Sequence, residues 1–281
     1  MVSEYILPKN MTPKNYLILR HISEKVINQL FSNKAITDEN KALKPENSFD
    51  FDKKIYINYS LIESSDKQDE NDKLDITNDI IYETSELIAI DKKNDILIHS
   101  DGNTSETLLN CVVKYLKDKG DDSYLRCLHR IDVKTTGICL FAKNIVSYQE
   151  ISYQLEHQEV YKRYIALAKG HIKGKQNVNI KIGKNRHESN TYIVSKTGKE
   201  SISIITPIKY VNNNTIVSVE IKTGRTHQIR VTLSYIGHPI IGDKLYDRKA
   251  KGSKLELVSK EMRFTLDNEL ITIISKQEVG A

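Results

Sequence analysis

Apolar and polar positions change period several times along the chain, and each change marks an element. In residues 23–31 (SEKVINQLF), Val26, Ile27, Leu30 and Phe31 recur at helical spacing behind Ser23, a natural N-cap. Residues 35–37 and 54–59 are short and strand-like. Residues 63–79 (ESSDKQDENDKLDITND) are acidic and nearly free of apolar side chains, the composition of a linker. From Ile80 the apolar density returns. Residues 87–90 and 96–99 read as buried strands, joined by a turn at 91–95 that places Asn94 in the left-handed position. Leu108, Leu109, Val112, Val113 and Leu116 form one helical stripe, started by capping-box spacing at Asn103 and Glu106 and stopped before Gly120. Cys111 falls off that stripe.

The apolar run 138–142 is a buried strand, and 144–157 a second amphipathic helix carrying Ile145, Tyr148, Ile151 and Leu155. Strands follow at 160–170, 201–208, 215–221 and 270–274, rich in β-branched and aromatic residues. Residues 181–199, dense in Lys, Arg, His and Asn, read as a loop or hairpin lying against phosphates. Gly224 turns the chain, and from Thr226 the pattern is helical again, with Ile229 and Leu233 on one face. The pattern divides the chain into a small module (1–62), a linker (63–79) and a main domain (80–281).

Composition adds limits. No stretch approaches the ~18 uninterrupted apolar residues of a membrane span, and the first residues lack the basic start and apolar core of a signal peptide. Cys111, Cys127 and Cys139 are scattered without metal spacing, which fits a reduced cytoplasm and gives no metal site. The net charge of +5 is unevenly spread: residues 1–75 carry 11 Lys/Arg against 13 Asp/Glu, leaving 31 against 24 for the rest. A basic main domain suits a polyanion such as RNA, although ordinary solvated lysines give the same count.

Three blocks carry candidate chemistry. Residues 129–137, HRIDVKTTG, put a base, a guanidinium, a carboxylate and two hydroxyls on a short loop ahead of a rigid strand. Residues 160–170, VYKRYIALAKG, carry Tyr164 on a strand. Residues 222–246 contain KTGRTHQIRVTL and then GHPIIGDKLY. Together they resemble the RluA-type pseudouridine synthases, whose patterns HR-aliphatic-D-x-x-T-S/T-G, K-x-Y-x-A-x-x-x-G and GRTHQ-I/L-RVHL…GHPI-x-GD-x-x-Y they follow, with Thr232 where the family has histidine. The resemblance covers about 80–246.

What the resemblance implies is concrete. The fold would be α+β, a mixed, mainly antiparallel sheet flanked by helices, with a small N-terminal α/β module. That module resembles, weakly, the RNA-binding domain named for ribosomal protein S-four; the alternative is a degenerate packing domain. The reaction would be isomerisation of uridine to pseudouridine in structured RNA, with no cofactor and no metal. Asp132 would be the nucleophile and Tyr164 the active-site tyrosine. A carboxylate kept ionised beside a buried base needs a positive partner, which the resemblance assigns to Arg230, a guanidinium able to grip a carboxylate with two bonds. Arg130 would fill the space left by the flipped base. His129, Thr135 and Thr136 would fix the loop through backbone hydrogen bonds, with Gly137 supplying the turn, and these four would stand at the RNA together with Lys199, Arg225, Thr226, His227 and Gln228. Large-subunit rRNA is the usual target, tRNA an alternative, and a monomer the usual state. A catalytically silent RNA-binding assembly protein is the competing reading, and a hydrolase using Asp132 with His129 a poorer one, since no oxyanion-hole motif accompanies the pair.

Overall fold

The computed structural model describes residues 2–39, 41–62, 74–100, 102, 106–123, 125–250 and 254–280. Alternation builds its first strand, β1 (Val2–Leu7), which turns Ser3, Tyr5 and Leu7 inward and Val2 and Ile6 outward. Helix α1 (Pro13–Leu19) starts where the Thr12 hydroxyl accepts the Asn15 N–H at 3.2 Å, with Pro13 at the head of the helix. Neither β1 nor α1 is among the elements read from periodicity. Helix α2 (Glu24–Ser32) buries Val26, Ile27 and Leu30. Strands β2 (Ile36–Asp38), β3 (Lys41–Ala42) and β4 (Lys53–Asn58) complete an antiparallel sheet of order β1-β4-β2-β3.

The main sheet is longer. Its first strands are β5 (Ile80–Glu83) and β6 (Leu87–Lys92), followed by helix α3 (Leu108–Asp118), β7 (Arg126–Cys127), β8 (Thr136–Ala142) and helix α4 (Ile145–Glu156). Then come β9 (Tyr161–Lys169), β10 (Gln176–Lys184), β11 (Tyr192–Val194), β12 (Lys199–Val211), β13 (Asn214–Ile221), helix α5 (Gln228–Tyr235), β14 (Leu257–Leu266) and β15 (Glu269–Ile274). The order is β11-β10-β12-β13-β9-β14-β8-β6-β5, with β15 on β14 and β7 on β8. Among the described residues every pairing between these strands is antiparallel except β8 with β14, so the class is the mixed, mainly antiparallel α+β arrangement the resemblance implies.

That one parallel pairing joins the two halves of the sheet. Val258 and Ser259 lie opposite Thr136 and Gly137, while Ser259 also faces Tyr164 of β9. Gly137 has φ +99°, and a Cβ there would collide with the Ser259 carbonyl, so only glycine lets β8 come this close. All seven residues of β8 are buried. The loop before it therefore ends on a fixed base.

Several expectations are corrected. Residues 96–99 form no strand; Leu97 makes one bridge, to Thr107, as the chain turns into α3. The cap of α3 is Thr107, whose hydroxyl accepts the Asn110 N–H at 3.2 Å, while Asn103 lies outside the described residues. Cys111 is buried beside Val112, because positions 108, 111, 112 and 115 also follow helical spacing. Asp95, not Asn94, takes the left-handed conformation at φ 60°. The basic stretch 181–199 does take the hairpin form, as β10 and β11, whereas α5 starts at Gln228 rather than Thr226.

The proposed linker also ends early, because Leu74 and Ile76 pack into the core under α3. Nor is the N-terminal part separate. Leu7, Leu17, Ile27 and Leu30 share one apolar cluster with Ile145 and Val146 of α4, Arg20 Nε donates to Glu150 at 2.6 Å, and the His21 ring stacks on Tyr153 at 3.6 Å. Among the described residues no helix is long and apolar enough to cross a membrane.

Candidate active site

The loop between β7 and β8 is held from beneath before it reaches Asp132. The Leu140 N–H donates to His129 Nε2 at 3.3 Å, and the Cys127 thiol donates to the His129 carbonyl at 2.9 Å. Burial, with a smaller push from the Lys162 ammonium, lowers the His129 pKa to about 4, so the ring is neutral and free to accept. The fully buried Lys92, at the end of β6, donates to the Val133 carbonyl at 2.7 Å. The Thr135 N–H closes the turn on the Asp132 carbonyl at 3.0 Å. A side chain on so tightly tied a loop has few directions to point.

Asp132 points at α5. Its Oδ2 accepts from Arg230 Nη1 at 3.1 Å and lies 3.7 Å from His227 Nε2. Oδ1 accepts no hydrogen bond among the described residues. The expected two-bond grip between Arg230 and Asp132 is corrected here, because it belongs to another carboxylate. Arg230 Nε and Nη2 donate to Asp243 Oδ2 and Oδ1, each at 2.8 Å. Asp243 is 1% exposed and also accepts the Leu245 and Tyr246 N–H groups at 3.1 and 3.3 Å. Burial alone would pull the Arg230 pKa down; the two carboxylates more than reverse it. Arg230 is thus a fixed, permanently charged bridge, anchored by Asp243 and offering one N–H to Asp132.

Tyr164 reaches the same cleft from β9. Burial pushes its pKa up to about 12, so it keeps its proton and presents a ring face and an O–H. The cleft, about 1010 Å³, runs past Asp132, Tyr164, Ile221 and Leu257 and is edged by Arg130 and Arg225. A second pocket of about 460 Å³ opens on the other side of Asp132, against Tyr192 of β11, Lys184 and Lys244. Among the described residues no three His, Cys, Asp or Glu side chains are grouped to hold a metal ion.

The remaining sequence-predicted residues divide. Arg130 and Thr226 are exposed at the cleft, and the half-buried Arg225 donates to the Glu200 carbonyl at 2.8 Å. Five residues expected at the RNA serve instead as supports beneath the cleft. Gln228 is 3% exposed and bonded to Thr223, Ser203 and two backbone groups. His129 accepts from β8, and Thr135 and Thr136 are 2% and 1% exposed. Gly137 lies within the β8–β14 contact. Lys199 starts β12, exposed and outside the cleft lining, because its strand pairs with Ile182 away from Asp132. Sequence reasoning missed Lys92, Asp243 and Tyr246 as site residues. The last two stand in the GDKLY string, and that string was the available signal.

Residues 86–235 match the model of the family described as RNA pseudouridylate synthase. The chain is 31% identical over 194 residues to the Ribosomal large subunit pseudouridine synthase D of Salmonella typhimurium, covering 68% of this chain and 60% of that one. It is 33% identical to the protein of the same name from Buchnera aphidicola, covering 70% and 61%. The chain thus spans about three fifths of the length of these curated relatives. Among solved structures, Human RNA Pseudouridylate Synthase Domain Containing 1 matches with a TM-score of 0.62 at 23% identity, over 70% of this chain and 82% of that one. Human RNA Pseudouridylate Synthase Domain Containing 4 matches at 0.59 and 19%, over 72% and 89%. These structures share the fold. With a family match over more than half of its length, and the aspartate, tyrosine and arginine of the three motifs gathered in one cleft, the chain belongs to the RNA pseudouridylate synthase family, of the RluA type.

Proposed function

We propose that the protein isomerises specific uridines to pseudouridine in structured RNA, with large-subunit ribosomal RNA as the substrate class. The observation that carries this reading is the Asp132 carboxylate, held on one oxygen by Arg230 and free on the other, in a cleft that also holds Tyr164. The relatives named for large-subunit rRNA support the substrate class.

In this reading the target uridine leaves its stack at a cost of a few kcal/mol, and Arg130, exposed at the cleft rim, occupies the space behind it. The base lies on the Tyr164 ring, among Ile221 and Leu257. Asp132 Oδ1 bonds to the nucleoside as the glycosidic bond to N1 breaks. The freed uracil turns, C5 takes the place of N1 on the sugar, and Asp132 is released. The C5 proton departs and N1 gains one, so the composition is unchanged and the reaction calls for no redox partner. Arg225 and the basic β10–β11 hairpin meet phosphates. Residues 1–62 act as a packing module for α4, supported by the shared core. The enzyme works as a monomer in the cytoplasm.

The test maps pseudouridines across total RNA from cells lacking the gene and rescued with wild type or Asp132→Asn. Sites restored by wild type alone are the expected result and name the substrate. Full rescue by Asp132→Asn, or no lost site, would overturn the reading in favour of a binding-only protein.

A further inference from the structure

His227 sits between Asp132 and two tyrosines, and its ring nitrogens face different groups. Nδ1 is 2.8 Å from the Tyr246 hydroxyl, and Nε2 is 3.7 Å from Asp132 Oδ2. The ring meets Tyr192 and Tyr246 edge-on, with centroids 5.5 and 5.6 Å away and interplanar angles of 71° and 87°. The His227 backbone has φ 55°, in the left-handed region that histidine enters more readily than most residues.

Hydrogen-bond accounting decides the tautomer twice. The Tyr246 oxygen already accepts the Tyr192 N–H at 2.9 Å. Burial pushes the Tyr246 pKa up to about 12, so the phenol retains a proton to donate, and among the described residues its partner is His227 Nδ1. An accepting Nδ1 puts the ring proton on Nε2. Independently, a bare Nε2 lone pair 3.7 Å from a carboxylate oxygen would repel it, whereas an N–H attracts it. Burial lowers the His227 pKa against the opposing pull of Asp132, and the ring stays neutral between Arg230 on one side and Asp243 on the other.

We infer that Tyr246 locks His227 as its Nε2–H tautomer, so that His227 and Arg230 both address Asp132 Oδ2 and reserve Oδ1 for the substrate. His227 and Tyr246 are then positioning residues that tie the β11 edge of the sheet to the nucleophile. The role of Asp132 in this inference rests on the synthase reading; the tautomer does not.

Two measurements on the full chain test it. In RNA-free protein labelled with 15N-histidine, NMR should show a pyridine-type Nδ1 and a pyrrole-type Nε2 for His227, with mixed tautomers in Tyr246→Phe. The reverse assignment in wild type would overturn the inference without touching Asp132. The second compares turnover on transcribed large-subunit rRNA. A glutamine amide nitrogen falls near histidine Nε2 and an asparagine amide nitrogen near Nδ1. His227→Gln should therefore keep kcat within about threefold, and His227→Asn, which leaves no N–H facing Asp132 Oδ2, should lose roughly tenfold at little cost in KM. A purely structural role ranks them the other way, since asparagine suits a left-handed backbone better than glutamine. Asn equal to or better than Gln would sink the inference.

Discussion

His129 shows what a single buried side chain gives up to hold a loop. Its pKa falls to about 4 through burial, helped by Lys162, from the ordinary 6.5, so the folded protein takes it in neutral. A folded pKa below the unfolded one means that the stabilisation is complete above about pH 6.5 and drains away as pH falls toward 4. The slope from this one group reaches about 1.4 kcal/mol per pH unit. His227 shifts in the same direction, and Lys92, lowered by burial to about 8, does so only in alkali. A variant is needed to isolate the His129 share. His129→Gln, whose amide oxygen can still accept the Leu140 N–H, should flatten the stability curve between pH 4 and 6.5 in urea unfolding. A wild-type curve no steeper than the variant's would refute the assignment. At this scale Asp132, Tyr164 and Arg230 were readable because each sits in a dense motif of fixed spacing. The Asp243 grip on Arg230 was not, since a contact across 13 residues depends on how the turn after α5 folds back.

Among elements, the parallel contact between β8 and β14 fixes the site. Two glycines with positive φ separate backbone strain from close approach. Gly137 combines φ +99° with a Cβ position inside the Ser259 carbonyl, whereas Gly174 has φ +74° and nothing within 4 Å. Gly174→Ala should cost about 1 kcal/mol from conformation alone. Gly137→Ala must also push β14 away from β8 and should cost roughly 3 kcal/mol or more, read as a larger fall in denaturation midpoint. Equal losses would show that the strands are not in contact as described. Elements with a clear period were legible: residues 144–157 fold as α4 with Asn144 and His157 as its caps. Residues 96–99 misled, because a four-residue apolar run is equally a buried bend, and tertiary packing decided between them. Strand β1 was hidden by its exposed Val2 and Ile6, which blur the alternation. Helix α1 was signalled by Thr12 and Pro13.

Across the whole molecule, the question is whether residues 2–62 form a tethered module or part of the catalytic body. The contact surface contains a guanidinium, Arg20, that is 3% exposed and lies between Glu150 at 2.6 Å, Asp267 at 3.8 Å and Glu86 at 4.0 Å. Tyr5 donates to Glu86 and stands 2.6 Å from the Tyr59 hydroxyl, while Tyr16 donates to Asp267. The carboxylates come from the main domain and the arginine and tyrosines from the N-terminal part, so parting the two would strand charge on both sides. Burial raises the pKa of Glu86 and Glu150 even with Arg20 in place, which shows how costly those carboxylates would be alone. Removing one partner of such a buried group typically costs about 3–5 kcal/mol. Calorimetry of the wild type should therefore show one cooperative transition in which both parts melt together. Arg20→Ala should lower the midpoint by several degrees and split off an earlier transition belonging to residues 2–62. Two transitions already present in the wild type would mean that the shared core with α4 does not couple the parts, and that the N-terminal residues hang from the catalytic body as a separate unit.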